Sequence, residues 1–197
     1  MKNVKFETVQ SSFASAFASR IAQSKNENMR DFLTRMQKSF ANLNAAQSKK
    51  CFDLDIDLIA LSDRIAQADA TQSNYIAQYA IEKVAKAINA LASGSLLALD
   101  KYTFSITKNL HELNTLDNLN TQRALCSKIE LNELQQAQAI KVYHNCSPST
   151  ASTQASSTRM MLEVLNICNV VKRAKADCIS FKETESAQAM RAFFKAA

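Results

Sequence analysis

The chain has 197 residues but one glycine and one proline, where about 14 and 10 would be ordinary for that length. Glycine supplies the left-handed and close-approach conformations that tight turns need. Walker loops, glycine-rich dinucleotide turns and nucleophile elbows each need several glycines within a few residues. Gly94 alone builds none of them, which excludes the commonest nucleotide-binding enzymes. A turn-rich sandwich or barrel is disfavoured on the same ground. Tryptophan is absent and aromatics make up 7%, which predicts a core of Ala, Leu, Ile and Met. There is no CxxC pair, no secretory leader pattern and no apolar run of membrane-spanning length. With an odd count of five cysteines, this predicts a reduced, cytoplasmic, soluble protein with no membrane partner.

What remains is helix. Apolar residues reach 47%, enough to bury a core. Charge is distributed in blocks. Residues 1–50 hold nine Lys/Arg against three acids, 51–117 five against nine, and 118–197 ten against six. A basic–acidic–basic layout suits either an anionic partner or head-to-tail self-contact.

Val9, Phe13, Phe17 and Ile21 recur every four residues and define one helical face. Met29, Phe32, Met36, Phe40 and Leu43 alternate threes and fours, close to a heptad seam, and are the predicted self-association surface of a homo-oligomer. Ser24 and Glu27 fit a capping box between the two stretches. The acids Asp53, Asp55 and Asp57 resemble the start of a calcium loop. Leu58 and Arg64 occupy the loop positions that need Gly and Glu, so a helix first turn is the better reading. Ser73 is placed as the cap of a helix to about Ala92, with Ile76, Tyr79, Ala80, Val84 and Ile88 inward and Gly94 as its stop. Another helix is predicted over Leu96–Leu113, then a linker at Leu116–Asn120 with Thr121 as the next cap.

The last part reads as short helical patterns at Gln122–Lys128 and Asn132–His144, a break at Asn145–Pro148 and a Ser/Thr cluster. A helix starting Ser156-Ser157-Thr158-Arg159 comes next, then a basic hairpin over Val170–Lys175 and Cys178–Lys182 around Ala176-Asp177. Thr184 caps a final helix to about Phe194. The order of helix, polar turn, helix and basic strand pair resembles the winged helix-turn-helix superfamily of DNA-binding domains over about residues 121–197. It departs from that pattern where Pro148–Gln154 leaves little room for the first motif helix.

The resemblance implies a helix in the major groove and a hairpin wing on the backbone. Ser156, Ser157 and Thr158 would then offer hydroxyls and helix-start N–H groups to phosphate. Arg159 would reach a guanine edge, and Lys172, Arg173, Lys175 and Lys182 would meet phosphates. The same residues also read as a simple cap and a solvated basic face.

His144, Cys146, Cys168 and Cys178 match zinc ligands by type but not by spacing, so no metal or other cofactor is expected. No nucleophile–base–acid set emerges, and the chain reads as a non-enzyme. The expected architecture is mainly α, with basic amphipathic helices over 1–50, an acidic helical segment over 51–117 and a winged-helix-like part over 121–197. Two functions fit it. One is a nucleic-acid-binding protein, most naturally for duplex DNA. The other is a helical scaffold or adaptor that self-associates or docks on an acidic protein surface.

Overall fold

The computed structural model describes residues 5–130, 139–173 and 176–195. The chain is mainly α, with a small antiparallel sheet in its C-terminal part. Helix α1 (Phe6–Gln23) buries Val9, Phe13, Ala16 and Phe17, and packs on α2 (Glu27–Ala41) and α4 (Leu58–Ala66). Asn26, not Ser24, caps α2 by accepting the Met29 N–H at 3.1 Å. Ser24 instead closes α1, its N–H bonding the Arg20 and Ile21 carbonyls. Helix α3 (Ala45–Asp53) opens on a reciprocal capping box of Asn44 and Gln47.

The alternating acids are divided among three jobs rather than sharing a first turn. Asp53 ends α3, Asp55 takes a left-handed turn at φ 58°, and Asp57 caps α4 through the Ile59 and Ala60 N–H groups. Aspartate tolerates that φ better than most residues. Buried Arg20 ties the end of α4 to the chain around Ile76, donating to the Ile65 carbonyl at 3.2 Å and the Ile76 carbonyl at 2.8 Å.

Helix α5 (Gln78–Ser93) is central, meeting α2 and α3 as well as α8 (Pro148–Val164) and α9 (Glu185–Lys195). Ala77 precedes it, so the helix starts later than a Ser73 cap implies. Ile81, Val84 and Ile88 set its inward face, and Tyr79 lies roughly 200° from Ile81 around the axis. Tyr79 is therefore 48% exposed instead of inward. Gly94 at φ 68° ends α5 as expected, in the left-handed conformation glycine adopts without strain. The next predicted helix is split: a 3-10 turn at Leu96–Ala98 precedes α6 (Lys101–Leu113), because Asp100 caps the latter.

The predicted linker is structured. Strand β1 (Thr115–Asp117) leads into α7 (Asn118–Arg123), capped by Asp117, whereas Thr121 is buried with its hydroxyl on the Asp117 carbonyl. Of the predicted Asn132–His144 helix, residues 132–138 lie outside the described residues, and 139–144 form no helix. Strands β2 (Cys168–Arg173) and β3 (Ala176–Phe181) form the expected hairpin. Its register pairs Arg173 with Ala176 and Lys172 with Asp177, so Ala176-Asp177 belongs to β3, not to the turn. The sheet order is β1-β3-β2, all antiparallel. Thr184 caps α9, accepting the Ala187 N–H at 3.3 Å.

Buried side chains from Val9 to Phe194 form one contiguous core. Among the described residues no helix is long and apolar enough to cross a membrane.

Candidate nucleic-acid interface

Helix α8 starts eight residues earlier than the Ser/Thr cluster suggests. Ser147 caps it, accepting the Thr150 N–H at 3.2 Å, and Pro148 sits in the first turn, where its missing donor costs nothing. Serine and threonine hydroxyls compete with helix formation by bonding nearby backbone. Here they bond back along the helix, Thr153 to the Ser149 carbonyl and Ser157 to the Thr153 carbonyl. Ala151, Ala155, Met161 and Leu162 supply the buried stripe that holds the segment helical.

This corrects the placement of four candidate residues. Ser156, Ser157, Thr158 and Arg159 lie in the middle of α8, so no helix-start N–H groups are available there for phosphate. Ser156 is exposed, but Ser157 and Thr158 are buried. The Thr158 hydroxyl has no hydrogen-bond partner among the described residues. An unsatisfied buried hydroxyl costs about 1–3 kcal/mol. Thr158→Val is therefore expected to leave stability unchanged or raise it by about 1 kcal/mol in urea unfolding. A clear loss of stability would show that the hydroxyl is engaged.

Arg159 faces sideways instead of outward. Its guanidinium donates to Asn118 Oδ1 at 2.9 Å and lies 3.8 Å from Asp177 Oδ2, tying α8 to α7 and the hairpin. Lys182 is likewise occupied: its Nζ donates to Asn166 Oδ1 at 2.7 Å and its backbone N–H to the Ile167 carbonyl. Both residues position the hairpin, which removes their assignment as free base or phosphate contacts. Lys172 and Arg173 stand at the end of β2, next to the hairpin turn. Lys175 lies outside the described residues.

The proposed self-association seam is also corrected. Phe32, Phe40 and Leu43 are buried within the chain, and Met29 and Met36 pack half-buried against the same core. The Phe40 ring lies 4.7 Å from that of Phe13 and 5.4 Å from that of Phe17. The heptad-like spacing serves α1 of the same chain. What α2 exposes is its other face, with Arg30, Arg35 and Lys38.

The outward face of α8 carries Ser149, Ser152, Thr153 and Ser156, and ends at Glu163, all exposed. No acid occurs between Pro148 and Leu162. One flank is the hairpin, joined through Arg159 and Asp177. Helix α5 runs along the other, with the Ala77 N–H on Met160 Sδ at 3.1 Å. Towards the start of α8, Gln154, which points away from the outward face, shares a cleft with Lys86 and Lys101. Sequence reasoning missed these two lysines because they belong to different helices.

Among the described residues no group of three or more His, Cys, Asp or Glu side chains is placed to hold a metal ion. Burial pushes the Cys51 thiol up to about 12 and raises that of Cys168 as well, which makes both poor nucleophiles at neutral pH. Comparisons with protein-family models, curated proteins and solved structures find no match to this chain.

Proposed function

We propose that this protein binds duplex DNA, with α8 lying against the major groove and the β2–β3 hairpin against the adjacent backbone. The observation that carries this reading is the outward face of α8, hydroxyl-rich and free of acid over its first four turns. A solvated helix surface ordinarily carries Glu and Lys at intervals that pair along the helix. Hydroxyls at these positions instead suit contacts that both donate and accept, as phosphate oxygens and base edges require. Over those turns no carboxylate repels a phosphate, and exposed Glu163 stands on the same face in the last turn. Helix α7, α8 and the hairpin follow one another in the chain, and α8, at 17 residues, supplies a groove-length element. The earlier start of α8 shifts the reading residues towards its first half, to Ser149, Ser152, Thr153 and Ser156.

Anisotropy of a labelled duplex, titrated with the full chain at several salt concentrations, tests the proposal. Log affinity is expected to fall linearly with log salt, by about 0.9 per phosphate neutralised. Lys172→Ala/Arg173→Ala is expected to reduce that slope by about two. Ser152→Glu/Ser156→Glu, which sets two carboxylates on the exposed face, is expected to abolish measurable binding while the fold survives. No binding of the unaltered chain even at low salt overturns the reading.

A further inference from the structure

Arg20, near the end of α1, is 4% exposed, and no carboxylate among the described residues lies within ion-pair distance of it. Its guanidinium donates to the Ile65 and Ile76 carbonyls, and Cζ stands 5.0 Å from the centre of the Tyr75 ring. Burial pulls its pKa below the ordinary arginine value, with Tyr75 working against that shift. The guanidinium still keeps its proton at neutral pH. Among the described residues, therefore, a full interior charge is offset by carbonyl dipoles and an aromatic face alone. Buried charges are ordinarily paired with an opposite charge. Tying two carbonyls does not call for such a charge, because a neutral carboxamide carries two donors of its own.

Arg20 also lines a cavity of about 260 Å³ between the α1–α2 connection and the α4–α5 connection. Among the described residues no acid lines it. The nearest acids along the chain, Glu27 and Asp69, are exposed, and Asp69 accepts from Thr71 and Gln72 instead. Asn26, the cap of α2, is part of the lining, so the positive end of that helix adds to the field. Met29, Leu33 and Ala68 form an apolar side. The volume falls just under the roughly 300–1,000 Å³ of sites for drug-sized ligands, so the occupant is small. One buried positive charge matches one negative charge, whereas a phosphate dianion would carry an excess into the interior. The apolar side suits a short hydrocarbon body.

We propose that this cavity binds a small organic carboxylate, its oxygens on the Arg20 N–H groups that the two carbonyls leave over and its hydrocarbon body against Met29, Leu33 and Ala68. Charge-assisted bonds from arginine to carboxylate are about twice as strong as neutral ones. Binding supplies the opposite charge that the fold itself leaves out, so the protein is more stable with the ligand than without it. The inference goes beyond the DNA-binding reading and does not depend on α8.

The test heats the full chain at neutral pH with increasing butyrate, chloride making up a constant ionic strength. Butyrate is expected to bind with a Kd on the order of 1 mM, which its non-hydrogen atoms reach at about half of the best ligand efficiency. At a hundredfold excess over Kd the unfolding midpoint is expected to rise by about 5–10 °C and to approach this along a saturable curve. Butyramide, the uncharged isostere, is expected to give no rise. Arg20→Gln retains two donors for the carbonyls and is expected to remove the response. Ala68→Leu keeps the charge but fills the cavity, and is expected to remove it as well, which keeps the proposal open to refutation if Arg20→Gln fails to fold. No saturable rise with butyrate overturns the proposal. An equal rise with butyramide also overturns it, since it would mark a merely apolar pocket. A rise that survives in either folded variant places the carboxylate elsewhere and overturns it too. A rise with inorganic phosphate but not with butyrate, lost in Ala68→Leu, would assign the cavity to phosphate and reject the carboxylate. None of these outcomes bears on DNA binding, which is read in a separate titration.

Discussion

Replacing Asp100 with alanine is expected to destabilise the protein by about 3–5 kcal/mol, the range for breaking a buried ion pair from one side. Asp100 caps α6 through the Tyr102 and Thr103 N–H groups, accepts the Thr103 hydroxyl at 2.6 Å, and neutralises Lys83 at 2.7 Å. Loss of the cap accounts for about 1 kcal/mol of the effect. The larger share comes from the Lys83 ammonium, whose side chain is 5% exposed and would be left without its carboxylate. Lys83→Met/Asp100→Ala is expected to recover much of the loss, because the stranded charge is gone and the methionine fills the space. Urea unfolding at neutral pH measures all three proteins. A single variant no less stable than the double variant would show that the buried charge is not the cause.

The same pair predicts an acid signature. Burial pushes the Asp100 carboxyl up, but the Lys83 ammonium and the Thr103 donors outweigh it and hold the group below its ordinary value of 3.8. In the unfolded chain the carboxylate takes up its proton first as pH falls. The stabilisation is therefore complete above that ordinary value and is lost as pH falls through the lower, folded one. Asp100→Asn has no such titration, so the gap between it and the unaltered protein is expected to narrow on acidification. A gap of constant width from pH 6 down to the acid limit would contradict the assignment.

The parts of this architecture that are legible in the sequence are those with local causes. The spacing of Val9, Phe13 and Phe17 places α1, and Gly94 ends α5 where a left-handed residue is required. Thr184 caps α9, and the alternation around Val170 and Ile179 announces a hairpin. The start of α8 is obscured because the intrinsic turn preference of Ser and Thr competes with a buried stripe. The stripe prevails, and Ser147-Pro148 already carries the start signal. Strand β1 has three residues and one buried side chain, Leu116, so its identity comes from pairing with β3 rather than from its own pattern. Of the interface, the hairpin cations are visible in the sequence, while the exposed half of α8 reads there as a turn. Lys86 and Lys101 are joined only by the reversal of chain direction between Gly94 and Asp100, which no local pattern encodes. Arg159 and Lys182 look free in the sequence because their partners, Asn118, Asp177 and Asn166, are named only by the tertiary fold.

Phe40→Ala is expected to cost about 3–5 kcal/mol, the range for deleting a fully packed aromatic side chain, and to leave the association state unchanged. Phe40 is 2% exposed and its ring contacts those of Phe13 and Phe17, so truncation opens a cavity between α1 and α2 and removes two aromatic contacts. A heptad-like spacing identifies which side chains seek cover but not which chain provides it, and here α1 does. The two possibilities differ in their response to mass action. If the seam closed between chains, the urea midpoint of the unaltered protein would rise with protein concentration, as bound partners stabilise the folded state. A seam closed within one chain gives a midpoint independent of concentration across roughly a hundredfold range, with Phe40→Ala lowering it equally at every concentration. A concentration-dependent midpoint that Phe40→Ala abolishes, with monomer stability intact, would return these residues to an interface between copies. The concentration-independent outcome would leave α2 with only its basic outer face, including Arg30, Arg35 and Lys38, to offer a partner.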